Sequence, residues 1–113
     1  MRTIIDGSEK IKNQKAIEDA IEESGFDVSE IVTAGRPGAS ALGAYWGKMH
    51  NCEISQFPPK GDDLKAQQQV NKRMAKYADA VIIVTNAPDD LDQNLIEHAE
   101  KRDMPVHVHE IEA

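Results

Sequence analysis

The chain has 113 residues and a formal net charge of −7, with 40% hydrophobic, 29% charged and 4% aromatic residues. That length holds one small domain, residues 1–113, around a mainly aliphatic core, and excludes a separate catalytic lobe. The acidic balance works against DNA or RNA binding and against an anionic membrane, lone Cys52 makes no internal disulfide, and no apolar run approaches the ~20 residues of a membrane span, so a cytoplasmic protein is expected.

Arg2-Thr3-Ile4-Ile5-Asp6-Gly7-Ser8 is short, β-branched and stopped by glycine, which predicts a first strand emptying into a turn. Asn13 to Ser24 puts Ile17, Ala20 and Ile21 on one helical face, and Gly25 ends the helix. Val28, Ile31 and Val32 supply a second strand. A second helix runs from about Pro37 to Met49, where Ala41, Ala44 and Gly47 permit close packing on a sheet. Cys52 to Phe57 alternates as a third strand, with Cys52 read as a small buried side chain, and Pro58-Pro59-Lys60-Gly61 breaks it. A third helix from Asp63 offers Leu64, Val70, Met74 and Tyr77 as inward positions. Asp79 to Thr85, apolar without a break from Ala80 to Val84, predicts a central strand covered on both faces. After the loop Asn86-Ala87-Pro88-Asp89-Asp90, a last helix spans Leu91 to Arg102 and a fifth strand Met104 to His109.

Five strands alternating with four helices imply a parallel sheet with right-handed crossovers, a Rossmann-like three-layer α/β sandwich of strand order 3-2-1-4-5. Ligands of such sheets bind beyond the carboxyl ends of the strands at the switch point. That rule gathers Asp6-Gly7-Ser8, Gly35-Arg36-Pro37-Gly38 and Thr85-Asn86 around one mouth. The stretch Val32 to Trp46 reads as strand, glycine turn and helix start, with Pro37 suited to the first helical position. Amides of Gly35 to Ala39, aided by Arg36, would then receive an anion such as phosphate. A plain strand-to-helix turn explains the same residues, because the run is neither GxGxxG nor a Walker loop.

These pieces together resemble the SLOG superfamily of Rossmann-like nucleotide-binding domains, particularly its small YspA-like members of unknown function. The carriers, over nearly the whole chain, are Gly7-Ser8, the loop Ala34-Gly35-Arg36-Pro37-Gly38-Ala39-Ser40, the helix Gly43-Ala44-Tyr45-Trp46-Gly47, Phe57-Pro58, and Asn71, Met74 and Tyr77-Ala78-Asp79-Ala80. The sequence departs from the family at Ala66-Gln67-Gln68-Gln69-Val70-Asn71, which lacks the family's glycine and arginine, and at Asn86 to Asp92, which lacks a Gly-Thr loop. Ser40 stands where the family has aspartate, and the PGxGGxGT signature of the phosphoribohydrolase relatives is missing. The resemblance implies a nucleotide or nucleotide-derived ligand and does not imply hydrolysis.

Other clusters have plainer explanations. Asp89, Asp90 and Asp92 could hold Mg²⁺ or a ribose hydroxyl, but such a run is ordinarily a helix cap with first-turn acids. His107 and His109 share one strand face without an obvious third ligand, so no metal is assigned to them. His50 and His98 sit in last helical turns, where capping is the default. A Ser–His–Asp nucleophile is rejected for want of GxSxG. Trp46 is expected in packing or a subunit interface, and Lys60, Lys65, Lys72, Arg73 and Lys76 on a solvated face or a phosphate-facing rim. The leading expectation is a non-catalytic sensor or sequestering protein, a homodimer or higher oligomer with no certain cofactor. Its ligand's phosphate would meet Gly35 to Ala39 and Arg36, its ribose Asp6, Ser8 or Asn86, and its base Tyr45. Ser40, Asn71 and Thr85 complete the candidate set. N-glycosidic cleavage with Asp6 as the stabilising carboxylate, and an interaction module with a degenerate pocket, are the alternatives.

Overall fold

Short runs rich in Ile and Val form strands, and between them lie amphipathic segments that form helices, in strict alternation along the chain. The computed structural model describes residues 1–112. Its elements are β1 (Arg2–Gly7), α1 (Gln14–Ser24), β2 (Glu30–Thr33), α2 (Ala39–Met49), β3 (Glu53–Gln56), α3 (Leu64–Tyr77), β4 (Ala80–Thr85), α4 (Asp90–Glu100) and β5 (Val106–Glu110). All strand pairs are parallel and the sheet order is β3-β2-β1-β4-β5, as expected from the sequence.

Every residue of β4 is buried, which accounts for its unbroken apolar run. On one sheet face Ile5, Ile31, Ile82 and Val84 pack with Ile17 and Ile21 of α1 and Ala39 of α2. On the other, Ile4, Val32, Val81 and Ile83 pack with Val70 and Met74 of α3 and Leu95 and Ala99 of α4. The close approach of α2 to the sheet rests on Gly43 and Gly47, whose added Cβ atoms would stand 2.6 Å from Ile5 and 2.5 Å from Ile31. Ala41, expected in that contact, is exposed. No helix among the described residues is long and apolar enough to cross a membrane.

The sequence misplaces several element ends. Helix α2 starts at Ala39 because its cap, Gly38, has φ of 79°, which no helical residue adopts, so Pro37 lies in the preceding turn. Asn13 and Asp63 are caps whose side chains accept from Lys15 and Ala66 amides, one position before their helices. Val28 and Cys52 fall outside the strands, and Cys52 is half-buried, its thiol pushed up by desolvation. Leu64, read as inward, is the first residue of α3 and is 53% exposed.

Candidate functional site

The carboxyl ends of β1, β2 and β4 meet where the chain crosses from one half of the sheet to the other. The β2–α2 loop there is held largely by the protein itself. The Gly35 amide donates to Thr33 Oγ1 at 3.1 Å, and the Ala39 amide donates to the Ser8 carbonyl at 3.0 Å. Pro37 has no N–H, so of Gly35 to Ala39 the amides of Arg36 and Gly38 alone have no partner among the described residues and could receive an anion. Gly38 is present for contact with the β1–α1 link, since a Cβ there would lie 2.3 Å from the Ser8 carbonyl oxygen. The loop therefore grips the backbone of Ser8 and Glu9 where an open phosphate nest was expected.

Arg36 is committed in the same way. Its side chain is 11% exposed and pairs with Asp6, which is 4% exposed. The guanidinium also donates from Nε to Gln67 Oε1 at 2.7 Å and from its second terminal nitrogen to the Gln67 carbonyl at 3.1 Å. Asp6 Oδ1 accepts from the Gly7 amide at 2.9 Å. Burial pushes the Asp6 carboxyl up, against the opposing pull of Arg36 and of the Gly7 N–H. With its fork filled by one carboxylate and one glutamine, Arg36 fixes α3 to β1.

Two adjoining cavities open over this network. The larger, about 530 Å³, lies between the β2–α2 loop and the start of α3, against Gly35, Arg36, Pro37, Asp62 and Gln67. The smaller, about 220 Å³, lies against Asp6, Ser8, Lys10, Asp89 and Asp92, and both share Glu9, Arg36 and Leu91. Carboxylates outnumber cations around both cavities, so a bare phosphate meets repulsion at the rim while hydroxyl donors meet acceptors.

The acidic run at the rim is the start of α4. Asp89 accepts from the Asp92 amide at 2.8 Å and Asp92 accepts from the Asp89 amide at 3.2 Å, a reciprocal capping box. Asp92 is 4% exposed, and desolvation, with the nearby charges of Asp89 and Asp6 adding, raises its pKa to about 6. A folded-state pKa above the unfolded value means the native state binds more protons between pH 4 and 6, so Asp92 makes stability fall as pH rises through that window. Asp92→Asn keeps the acceptor for Asp89 and removes the charge. Allowing for water at the rim, it is expected to be about 1–2 kcal/mol more stable than the parent at pH 8. The gain should vanish near pH 4 in urea titrations of the two proteins.

The remaining candidates lie outside both cavities. Ser40 is buried and shares a 2.7 Å hydrogen bond with Thr33, and Thr85 Oγ1 both donates to the Ala87 carbonyl and accepts its amide. Asn71 is buried between α3 and α4, donating to the Leu91 carbonyl and Asn94 Oδ1. Asn86 is half-buried, and Tyr45 is 53% exposed on α2. Trp46 stacks on His50 with centroids 4.0 Å apart, and His50 caps α2 through the Trp46 carbonyl. His98 departs from expectation: desolvation and the cations Lys101, Lys72 and Arg102 lower its pKa, so it resists the charge a cap would use. Gln67, Asp62 and Glu9 were missed because their approach depends on the path of two irregular segments, which no periodicity reports. Compared with known protein families, with curated proteins and with solved structures, the chain finds no match.

Proposed function

We propose that this chain is a non-catalytic binding protein of the SLOG type, which takes the sugar and base of a nucleotide-derived molecule into the crevice beyond β1, β2 and β4. The observation that carries the reading is the pair of cavities of about 530 and 220 Å³ meeting at Arg36, at the place where open α/β sheets receive ligands. Around them Glu9, Asp62 and Asp89 offer acceptors for ribose hydroxyls, and Leu64 and Leu91 offer apolar surface for a base. Gln67 stands where the resembling family carries a glycine, and its hold on Arg36 supports a ligand recognised more by its hydroxyls than by its phosphate. Asp6 is already paired and so is poorly placed to stabilise an oxocarbenium ion, which favours binding over N-glycosidic cleavage.

Thermal denaturation with adenosine, AMP, ADP-ribose and a cyclic dinucleotide tests this. A ligand at about 100 times its Kd adds roughly 2.7 kcal/mol of stability, and adenosine is expected to raise Tm at least as much as AMP. Leu91→Trp, which fills the wall shared by both cavities, should abolish the shift while leaving the circular dichroism unchanged. Absence of a shift with every compound would instead support the interaction-module reading, which the self-capped β2–α2 loop favours.

A further inference from the structure

The last strand carries a second constellation, on the sheet face covered by α1 and remote in sequence from the crevice residues. The β4–β5 register sets His107 beside Ile82 and His109 beside Val84, both apolar core positions under α1. Val106 and Val108 pack on the opposite face as an ordinary strand would. Two imidazoles therefore occupy positions where aliphatic side chains would serve packing better. Helix α1 brings Glu23 to them: its Oε1 lies 2.9 Å from His109 Nδ1 and 3.5 Å from His107 Nε2. The first contact is a hydrogen bond, whereas His107 Nε2 is buried and has no hydrogen-bond partner among the described residues. A buried nitrogen without a hydrogen-bond partner, 3.5 Å from a carboxylate oxygen, needs an explanation.

We propose that Glu23, His107 and His109 form a binding site for a divalent first-row transition cation such as Zn²⁺. One ligand atom from each residue lies within 4.8 Å of the other two. Metal–ligand bonds of about 2.0–2.1 Å in a tetrahedral shell place neighbouring donors about 3.3 Å apart, and the contacts of 2.9 and 3.5 Å bracket that spacing. A small outward shift of Glu23 from His109 admits the ion, and Glu23 is free to make it, because its side chain is 53% exposed. Two imidazoles and one carboxylate select Zn²⁺, Ni²⁺ or Cu²⁺ over Mg²⁺ and Ca²⁺, which prefer all-oxygen shells. Three protein donors leave at least one coordination position for water or a small ligand. An ion shared by α1 and β5 ties together segments that are 86 residues apart in the chain.

The test is calorimetric titration of the chelator-treated protein with ZnCl₂ at pH 7.5, with Tm measured before and after EDTA. Expected are one saturable site per chain and a rise in Tm that EDTA reverses. Because loss of even an outer-shell partner weakens metal sites on the order of ten-fold or more, Glu23→Gln, His107→Gln and His109→Gln should each lower zinc affinity at least that much. His50→Gln with His98→Gln should bind as the parent does. Glu23→Gln alters only an exposed carboxylate, so its loss of binding cannot be ascribed to unfolding if circular dichroism is unchanged. The proposal is overturned if the parent shows no saturable zinc binding, or if Glu23→Gln or the two folded histidine variants bind zinc as the parent does.

Discussion

Arg36→Ala is expected to destabilise the protein by about 3–5 kcal/mol in urea titrations at pH 7, among the largest losses any single substitution produces here. The guanidinium and the Asp6 carboxylate are both withdrawn from water, with side chains 11% and 4% exposed. Withdrawal is costly for each ion, and their attraction offsets it only while both are present. Truncating Arg36 leaves Asp6, among the described residues, with a single remaining donor, the Gly7 amide, inside a buried site. It also strips Gln67 of both guanidinium contacts and loosens α3 from β1. Asp6→Asn alone should be costly too, by stranding the arginine. The double variant Arg36→Met with Asp6→Asn should recover much of the loss, because no unpaired buried charge remains. If the two single losses simply add in the double variant, the pair is not the source of the effect.

The same pair shows how far the residues alone reveal the site. The mouth was legible: alternation of strand and helix fixes a parallel sheet, and the parallel sheet fixes where Asp6, Ser8, Gly35 and Arg36 converge. What they do there was not, because a loop that ends a strand and starts a helix is written with the same glycines whether its amides face a ligand or its own neighbour. Ser8 and Glu9 take the place against Gly38 that an anion would need, and nothing in the local sequence distinguishes the two uses. Likewise, a lone arginine in a glycine loop reads as an anion receptor until Gln67, 31 residues later, is found holding it. His107 and His109 show the converse. Their alternation places both on one face, but the third group comes from Glu23 on a distant helix, and only the packing of α1 over the β4–β5 edge supplies it. Polar positions defined by tertiary packing escape sequence reading for that reason, whereas core positions such as Ile82 and Val84 do not, because burial alone decides them.

Gly7→Ala should have an effect comparable to that of Arg36→Ala, through sterics alone. Gly7 ends β1 with φ of 144°, a conformation that side-chain-bearing residues avoid, and it pairs in register with Val84 of β4. A Cβ there would lie 1.9 Å from the Val84 carbonyl oxygen and 2.7 Å from its carbonyl carbon, both rigid backbone atoms at the centre of the sheet. Relief requires β1 to separate from β4, and the first contacts to go are the Ser8 amide bond to that same Val84 oxygen, 3.1 Å long, and the Asp6 bond to the Gly7 amide. Backbone strain of about 1–3 kcal/mol adds to an overpacking cost of about 1–3 kcal/mol, which approaches the whole stability of a small domain. Urea denaturation of the variant should therefore show a midpoint shifted far toward zero denaturant or no folded baseline at all. Val84→Ala provides the contrast: it removes side-chain atoms from the same position, leaves the carbonyl in place and should yield a folded protein with a moderate loss. Were Gly7→Ala as stable as the parent, the tight β1–β4 junction that sets the floor of the crevice would be wrong, and with it the positions of Asp6 and Ser8.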